Sequence, residues 1–344
     1  MKIIVDAMGG DNAPDEIIKG SLEAVHVHDV DIVLAGKGEE ILRSIERLGL
    51  KELPKRVEIV NATEVIDIED DPANAVRIKK DSSLTVALNL LRDGRGAALV
   101  SAGSTGAILS GATLIVKRVR GVRRAALAPY LPNAVGTGFI LIDCGANAEC
   151  TAEYLMQFAF MGSFYAEDVL NIKAPRVGLL NNGAERTKGT QLQLETYDLL
   201  HAAAEKSEIN FIGNIEAKEA VSGACDVLVC DGFSGNIMLK SLEGMATLIM
   251  TELKKIYSKS IITKLSALLI KKHIYALKTK MNPDTIGGTV LLGISKPVIK
   301  AHGSSGAAAI CSAVGQAAKA ADTDAASRLH ELLAGKKAME EPDE

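Results

Sequence analysis

Six short segments set glycine, hydroxyl, amide and basic side chains between an apolar run and a stretch with helical spacing. They are Asp6-Ala-Met-Gly-Gly-Asp-Asn, Ser101-Ala-Gly-Ser-Thr-Gly-Ala, Asp143-Cys-Gly-Ala-Asn, Asn181-Asn-Gly-Ala-Glu-Arg-Thr-Lys-Gly, Asp231-Gly-Phe-Ser-Gly-Asn and Ala301-His-Gly-Ser-Ser-Gly-Ala. Such segments suit anion binding. Glycine lets backbone N–H groups approach an anion, and the N-terminus of the next helix adds the positive end of its dipole. Gly9, Gly10, Gly103, Ser104, Thr105, Asn147, Gly235, His302 and Ser304 are therefore candidates for holding a phosphate-like group. Plainer roles stay open to each of them: a turn, a helix cap, or a structural hydrogen bond for His302. Asp6 and Asp11 would repel a dianion, so they fit as caps or as groups that orient donors.

Other chemistries leave fewer traces. No GxxxxGK[ST] occurs, and Gly36-Lys37-Gly38 lacks the third glycine of a dinucleotide fingerprint, so helix capping accounts for it. The five cysteines, at 144, 150, 225, 230 and 311, show no CxxC and no Cys/His metal spacing. An acyl-enzyme at Cys144 or Cys230 is conceivable, but neither has a His or Lys within four residues, and buried inert thiols fit better. Neither a cofactor nor a metal is implied. Basic residues number 39 and acidic ones 43, a net charge of -4, and Trp is absent; nothing points to nucleic acid. Reduced thiols and the lack of a signal peptide at Met1–Asp6 suggest the cytoplasm. The uncharged window Ala97–Val116 has 20 residues, but eight are Gly, Ser or Thr, and it reads as strand, loop, helix.

These segments need a frame to converge. β-Branched runs at Lys2–Asp6, Asp31–Ala35, Val57–Val60, Ala97–Ser101, Phe139–Asp143, Arg176–Leu180, Asn210–Gly213 and Asp226–Cys230 read as strands. Several are apolar throughout, as strands buried on both faces are. Helical stretches lie between them, at Pro14–Val27, Glu39–Leu48, Ser83–Arg92, Thr151–Ala166, Gly189–Glu205 and Gly235–Tyr257. The alternation predicts an α/β fold, a three-layer sandwich around a largely parallel central sheet, with the loops sharing the carboxyl edge where ligands bind. No repeat or Ser/Gly linker divides the chain, so residues 1–334 are expected as one domain and 335–344 as a charged flexible tail.

The same loops carry a resemblance. VDAMGGDNAP near the start, SAGSTGA at 101–107, LAPYLP at 127–132, LIDCGAN at 141–147, NFIGNIEA at 210–217, DGFSGN at 231–236 and KAHGSS at 300–305 together resemble the PlsX family of phosphate acyltransferases, from residue 1 to about 320. The resemblance implies a fold like that of the phosphotransacetylases and the isocitrate/isopropylmalate dehydrogenases, and a homodimer. It implies transfer of a fatty acyl group from acyl carrier protein to inorganic phosphate, giving acyl phosphate for a membrane glycerol-3-phosphate acyltransferase and so for phospholipid synthesis. It also implies Lys188 and Asn236 as catalytic residues; on position alone they read as a solvated lysine and a cap amide. Ser234 and the stretch Thr187–Thr190 depart mildly from the family pattern. A second reading is an NAD-dependent decarboxylating dehydrogenase of the same fold, and a third is a scaffold that binds acyl carrier protein without catalysis.

Two charged stretches suggest surfaces. Lys117–Arg124 packs five basic residues into eight, so Arg120 and Arg123 are candidates for docking an acidic carrier, or else close a helix end. Leu253–Pro283 holds eight Lys and no acid. Ile261, Ile262, Leu265, Leu268 and Leu269 form one apolar stripe there, and Ile270, Ile274, Leu277 and Met281 a second pointing elsewhere. A break near Ile270 is expected, with one stripe packed on the core or a partner copy and the other, with Leu265 and Leu268, at a membrane surface. The protein is thus expected in the cytoplasm with peripheral membrane association. The plain alternative is a dimer-interface helix.

Overall fold

Strands buried on both faces must be apolar at successive positions, and the segments Lys2–Asp6 and Phe139–Ile142 are buried along nearly their whole length. The computed structural model describes residues 1–67, 69–281, 287–323 and 325–340, with side chains except at 278–281 and 335–340. In chain order the strands are β1 (Lys2–Asp6), β2 (Asp31–Gly36), β3 (Val57–Asn61), β4 (Ala98–Ser101), β5 (Ala126–Ala128), β6 (Tyr130–Leu131), β7 (Phe139–Ile142), β8 (Val177–Leu180), β9 (Phe211–Ile215), β10 (Val227–Val229), β11 (Thr289–Leu292) and β12 (Val298–Lys300).

Hydrogen bonding divides them into a seven-stranded sheet, β3-β2-β1-β4-β12-β11-β5, and a five-stranded one, β6-β7-β10-β8-β9. Pairing is parallel except at β12–β11, β11–β5 and β6–β7. The bonds Leu141 N to Pro129 O (3.1 Å) and Cys144 N to Leu127 O (3.0 Å) stitch β7 to the β5–β6 stretch, so the strand layer continues through both sheets. Successive residues then feed opposite faces. Ile3, Val5, Ile140, Ile142, Val227 and Val229 enter one core with the helices Asp15–Val27, Ala152–Asp168 and Ala307–Ala321. Ile4, Phe139, Leu141 and Leu228 enter the other, with Ser83–Arg92 and Thr105–Gly111. The result is helix, strand and helix layers.

Most expected elements appear within a residue or two of their predicted ends. Ala97–Val116 is β4, a loop, the helix Thr105–Gly111 and a π-turn at Ala112–Val116. No helix among the described residues is long and apolar enough to cross a membrane. The Gly36–Gly38 turn is a capped helix start, with Gly38 N donating to Asn61 Oδ1 at 2.9 Å. Strands β5, β6, β11 and β12 went unpredicted: none exceeds four residues, and Ala126–Ala128 lacks the β-branched side chains that favour strands. The helix Ala325–Glu340 reaches into the stretch expected as a tail, of which 341–344 lie outside the described residues.

The long helix Gly232–Ser258 buries only Gly232, Gly235 and Met238 and stands off the body. Beyond it the predicted break falls at Ile270, between Ile261–Leu269 and Lys271–Met281. Neither stripe packs on the core, one of the two places expected for one of them, the other being a partner copy: Leu265 is 58% exposed, Leu268 66% and Leu277 40%. The side chain of Met281, and residues 282 and 283 of the expected segment, lie outside the described set.

Candidate active site

Three loops interlock at the carboxyl ends of β1, β4 and β12. Asp6 is buried, and its Oδ2 accepts from Ser101 Oγ at 2.7 Å while that hydroxyl oxygen accepts from Gly103 N at 3.1 Å. Asp11 N donates to Gly303 O at 2.7 Å, and Asn12 Nδ2 donates to Ser304 O at 3.0 Å. A Cβ on Gly9 would stand 2.7 Å from Asp6 Oδ2 and 2.8 Å from Gly103 N, so this crossing needs glycine. Burial pushes the Asp6 carboxyl up, against hydrogen bonds from Ser83, Ser101 and backbone N–H groups that pull it down. Asp6 organises donors rather than meeting an anion.

Asp143 does the same at the end of β7. Its Oδ1 accepts from Leu127 N (2.9 Å) and Ala146 N (3.2 Å), and its Oδ2 from Asn147 N (2.7 Å) and Asn147 Nδ2 (3.0 Å). Asn147 Nδ2 also donates to Ala125 O at 2.8 Å. Both amide hydrogens of Asn147, expected on a phosphate, are thus committed within the protein, and this residue orients the Asp143 loop. Asp231 caps the long helix by accepting from Ser234 N and Oγ, both at 2.8 Å. A Cβ on Gly235 would fall 1.9 Å from Asp143 O, so glycine lets the first turn rest on the Asp143 loop. Asn236 emerges just beyond it.

The two sets of loops face each other across a cavity of about 300 Å³. Its wall brings together three of the expected residues, Thr105, Asn236 and His302, with Gly145, Lys240, Glu243 and Lys300, and Lys240 Nζ donates to Glu243 Oε2 at 2.7 Å. His302 Nδ1 accepts from Ser304 N at 3.3 Å and meets Ser304 Oγ at 2.9 Å, which leaves Nε2 as the other ring nitrogen. Gly9, Gly10, Gly103, Ser104, Gly235 and Ser304 build the loops but do not line the cavity; Ser104 holds the cap position of its helix without a side-chain cap bond. Lys188 is exposed on the loop after β8, the strand beside β10, and is not in the wall either. That loop is fixed by Asn181 Nδ2 donating to Lys188 O (3.0 Å) and Asn214 Nδ2 donating to Glu185 O (2.9 Å). The sequence reading did not single out Lys240 and Lys300. Both were signalled by spacing: Lys240 is one helical turn beyond Asn236, and Lys300 is two residues before His302 at a strand end.

Cys144 lines the same cavity, yet burial first and the neighbouring Asp143 second push its thiol far up. Cys230 is pushed well up by burial too, and Cys150 and Cys225 to about 12. None is a thiolate at neutral pH. Among the described residues no three His, Cys, Asp or Glu side chains are grouped to hold a metal ion.

Comparison with known proteins decides the family. The model of the fatty acid synthesis protein family matches residues 1–328. A phosphate acyltransferase of Thermoanaerobacter pseudethanolicus is 48% identical over 334 residues, 97% of each chain, and one of Lactococcus lactis subsp. lactis is 46% identical over 333 residues, 96% of this chain and 98% of that one. The chain belongs to the PlsX family of phosphate acyltransferases. Among solved structures, a phosphotransacetylase from Streptococcus pyogenes aligns with a TM-score of 0.63 at 19% identity, covering 93% of this chain and 94% of that one. A 4-hydroxythreonine-4-phosphate dehydrogenase from Klebsiella pneumoniae aligns at 0.53 and 12%, covering 93% and 98%. These two likenesses concern the fold, which the family shares with both kinds of enzyme.

Proposed function

We propose that the protein transfers a fatty acyl group from acyl carrier protein to inorganic phosphate, releasing acyl phosphate for phospholipid synthesis. The observation that carries this reading is the cavity between the two loop sets, where amide, hydroxyl, imidazole and ammonium groups converge from Asn236, Thr105, His302 and Lys300, while Glu243 in the same wall is paired with Lys240. Such a wall suits a dianion that must be stripped of water and aimed at a carbonyl. A phosphate oxygen attacks the thioester carbon; the C–O bond forms, the C–S bond breaks, and the phosphate proton ends on the departing thiol. Negative charge grows on the carbonyl oxygen, and Asn236 donates to it. Lys188, from the loop beside β10, adds positive charge for phosphate and oxyanion. The thiolate leaves readily, so no strong general acid is needed, and the buried thiols of Cys144 and Cys230 need not form an acyl-enzyme.

The dehydrogenase reading needs a carboxylate cluster for a divalent metal, and the described residues group none. The surfaces fit the acyl-transfer reading: a basic loop with Arg120 and Arg123 for the acidic carrier, the exposed face of the long helix for a second copy, and the exposed Leu265–Leu268 stripe among lysines for a membrane where the amphiphilic product is consumed. The test is incubation with acyl carrier protein thioester and phosphate, with hydroxylamine trapping. Acyl hydroxamate that depends on phosphate is expected; free carrier without trapped product would overturn the reading.

A further inference from the structure

A second cavity, of about 690 Å³, opens at the amino-terminal edge of the larger sheet and shares no wall residue with the one holding Asn236. Its sides are apolar: Met161 and Phe164 from the helix Ala152–Asp168, Val169 just after it, Val290 and Leu292 from β11, and Leu329. The helix Ala325–Glu340, which carries Leu329, is tied across this region by Arg328. That guanidinium stacks 4.6 Å from the Phe164 ring centroid, reaches Glu167 at 2.7 Å and also bonds Asp168. Every charged side chain of the wall among the described residues is basic: Lys2, Arg95 and Lys296. Lys2 and Arg95 share one carboxylate, Glu58, at 3.0 and 2.5 Å, and Lys296 Nζ donates to Leu91 O at 2.7 Å. Outside the wall, Asp31 also feels Lys2 and Asp93 feels Lys296, but the wall itself offers a ligand these three cations and no carboxylate among the described residues.

We infer that this cavity binds a single-chain anionic amphiphile, with the chain along the apolar wall and the head at Lys2, Arg95 and Lys296. A volume of this order, mostly apolar with a few convergent polar groups, is what small-molecule sites show. A fatty carboxylate and an alkyl phosphate share the chemistry. The inference does not depend on the acyl-transfer reading, because its test measures binding.

Calorimetric titration of the full chain with dodecanoate, dodecyl phosphate and the neutral decyl maltoside, each below micelle formation, distinguishes the outcomes. One saturable site per chain is expected. Each buried methylene raises affinity roughly fourfold, so decanoate should bind more than tenfold more weakly than dodecanoate. Ala321→Trp, which fills this cavity, should abolish binding, whereas Leu239→Trp, which fills the other, should not. Arg95→Glu, at an exposed position, should weaken binding at least tenfold, with unchanged basal turnover as the check that the chain is folded. The tighter of the two anions identifies the head group. Decyl maltoside binding as tightly as decanoate, or binding lost in Leu239→Trp and kept in Arg95→Glu, would overturn the assignment.

Discussion

Two carboxylates, Asp6 and Asp143, serve the architecture of the loops around the cavity. Each accepts hydrogen bonds from the loop it organises, and burial holds each above the usual carboxylate range. The groups proposed to meet substrate are donors set just beyond them. Asn236→Ala should lower acyl transfer by roughly a hundredfold or more, as loss of an oxyanion donor does. Its exposed side chain supports no packing, so the melting temperature should stay put while turnover falls. Lys188→Ala should fall as far; a change confined to the phosphate KM would restrict that lysine to binding. Cys144→Ser is the contrasting case. The thiol faces the cavity but is held protonated, so the variant should keep most of its turnover, and labelled acyl chain retained on the denatured wild-type protein would contradict direct transfer. The glycine loops were legible in the sequence as turns before helices, but Asn236 and Lys188 were singled out by the family resemblance alone, since on position they read as a cap amide and a solvated lysine. Asn147 was misread, since nothing in its spacing tells that both amide hydrogens turn inward to Asp143 and Ala125.

Elements were legible where the apolar pattern was long. β1 and β7 follow from continuous burial, whereas three-residue β5 and β12 exist only because their neighbours supply hydrogen bonds. One pair shows how neighbours are locked. Arg176, just before β8, donates from N and Nε to Asp226 Oδ2 and from Nη2 to Asp226 Oδ1, tying the entries of β8 and β10 together. Burial raises the Asp226 carboxyl, but the bonds from Arg176 outweigh it and leave it below the usual value. Asp226→Asn should therefore cost about 1.5–3 kcal/mol at neutral pH. A depressed acid stabilises fully above the unfolded value near 4 and loses that contribution as pH falls through the folded one. The gap in stability between wild type and variant, followed by urea titration, should stay constant above about pH 5 and shrink below about pH 4. The helices after Ser258 pose a different question: their break at Ile270 and the exposure of Leu265 and Leu268 were legible, but the exposure of Leu277 in the second stripe was not. Leu265→Glu with Leu268→Glu should abolish co-sedimentation with anionic liposomes and leave acyl phosphate synthesis in solution intact. Loss of the dimer instead would mean that this stripe meets protein.

At the scale of the whole molecule, the sequence implied a shared loop edge, and the structure divides that edge between two sheets whose loops face each other. Which loops meet is decided by the β5–β7 junction, and its strands are too short to leave a periodic pattern. The same junction ties the end of the basic loop Lys117–Arg124 to the Asp143 loop, although none of its residues lines the Asn236 cavity and Val119 lines the larger one. Ala125, the next residue, accepts from Asn147 in the Asp143 loop, and the charges of Arg124, Asp143 and Asp231 are all felt at Cys150. This run is a loop between the π-turn and β5, and its arginines are unevenly committed. Arg123 pairs with Glu153 at 3.1 Å, whereas the backbone carbonyl of Arg120 accepts from His330 and its side chain is exposed. If this patch docks the acidic carrier, as we propose, its charge acts on encounter more than on chemistry. Reversing Arg120 and Arg123 to Glu should raise the KM for acyl carrier protein thioester roughly fivefold to tenfold, with the wild-type advantage fading as salt is added. Turnover of a small acyl thioester should barely change. An equal loss on both substrates would show that the loop supports the Asp143 region and does not dock the carrier.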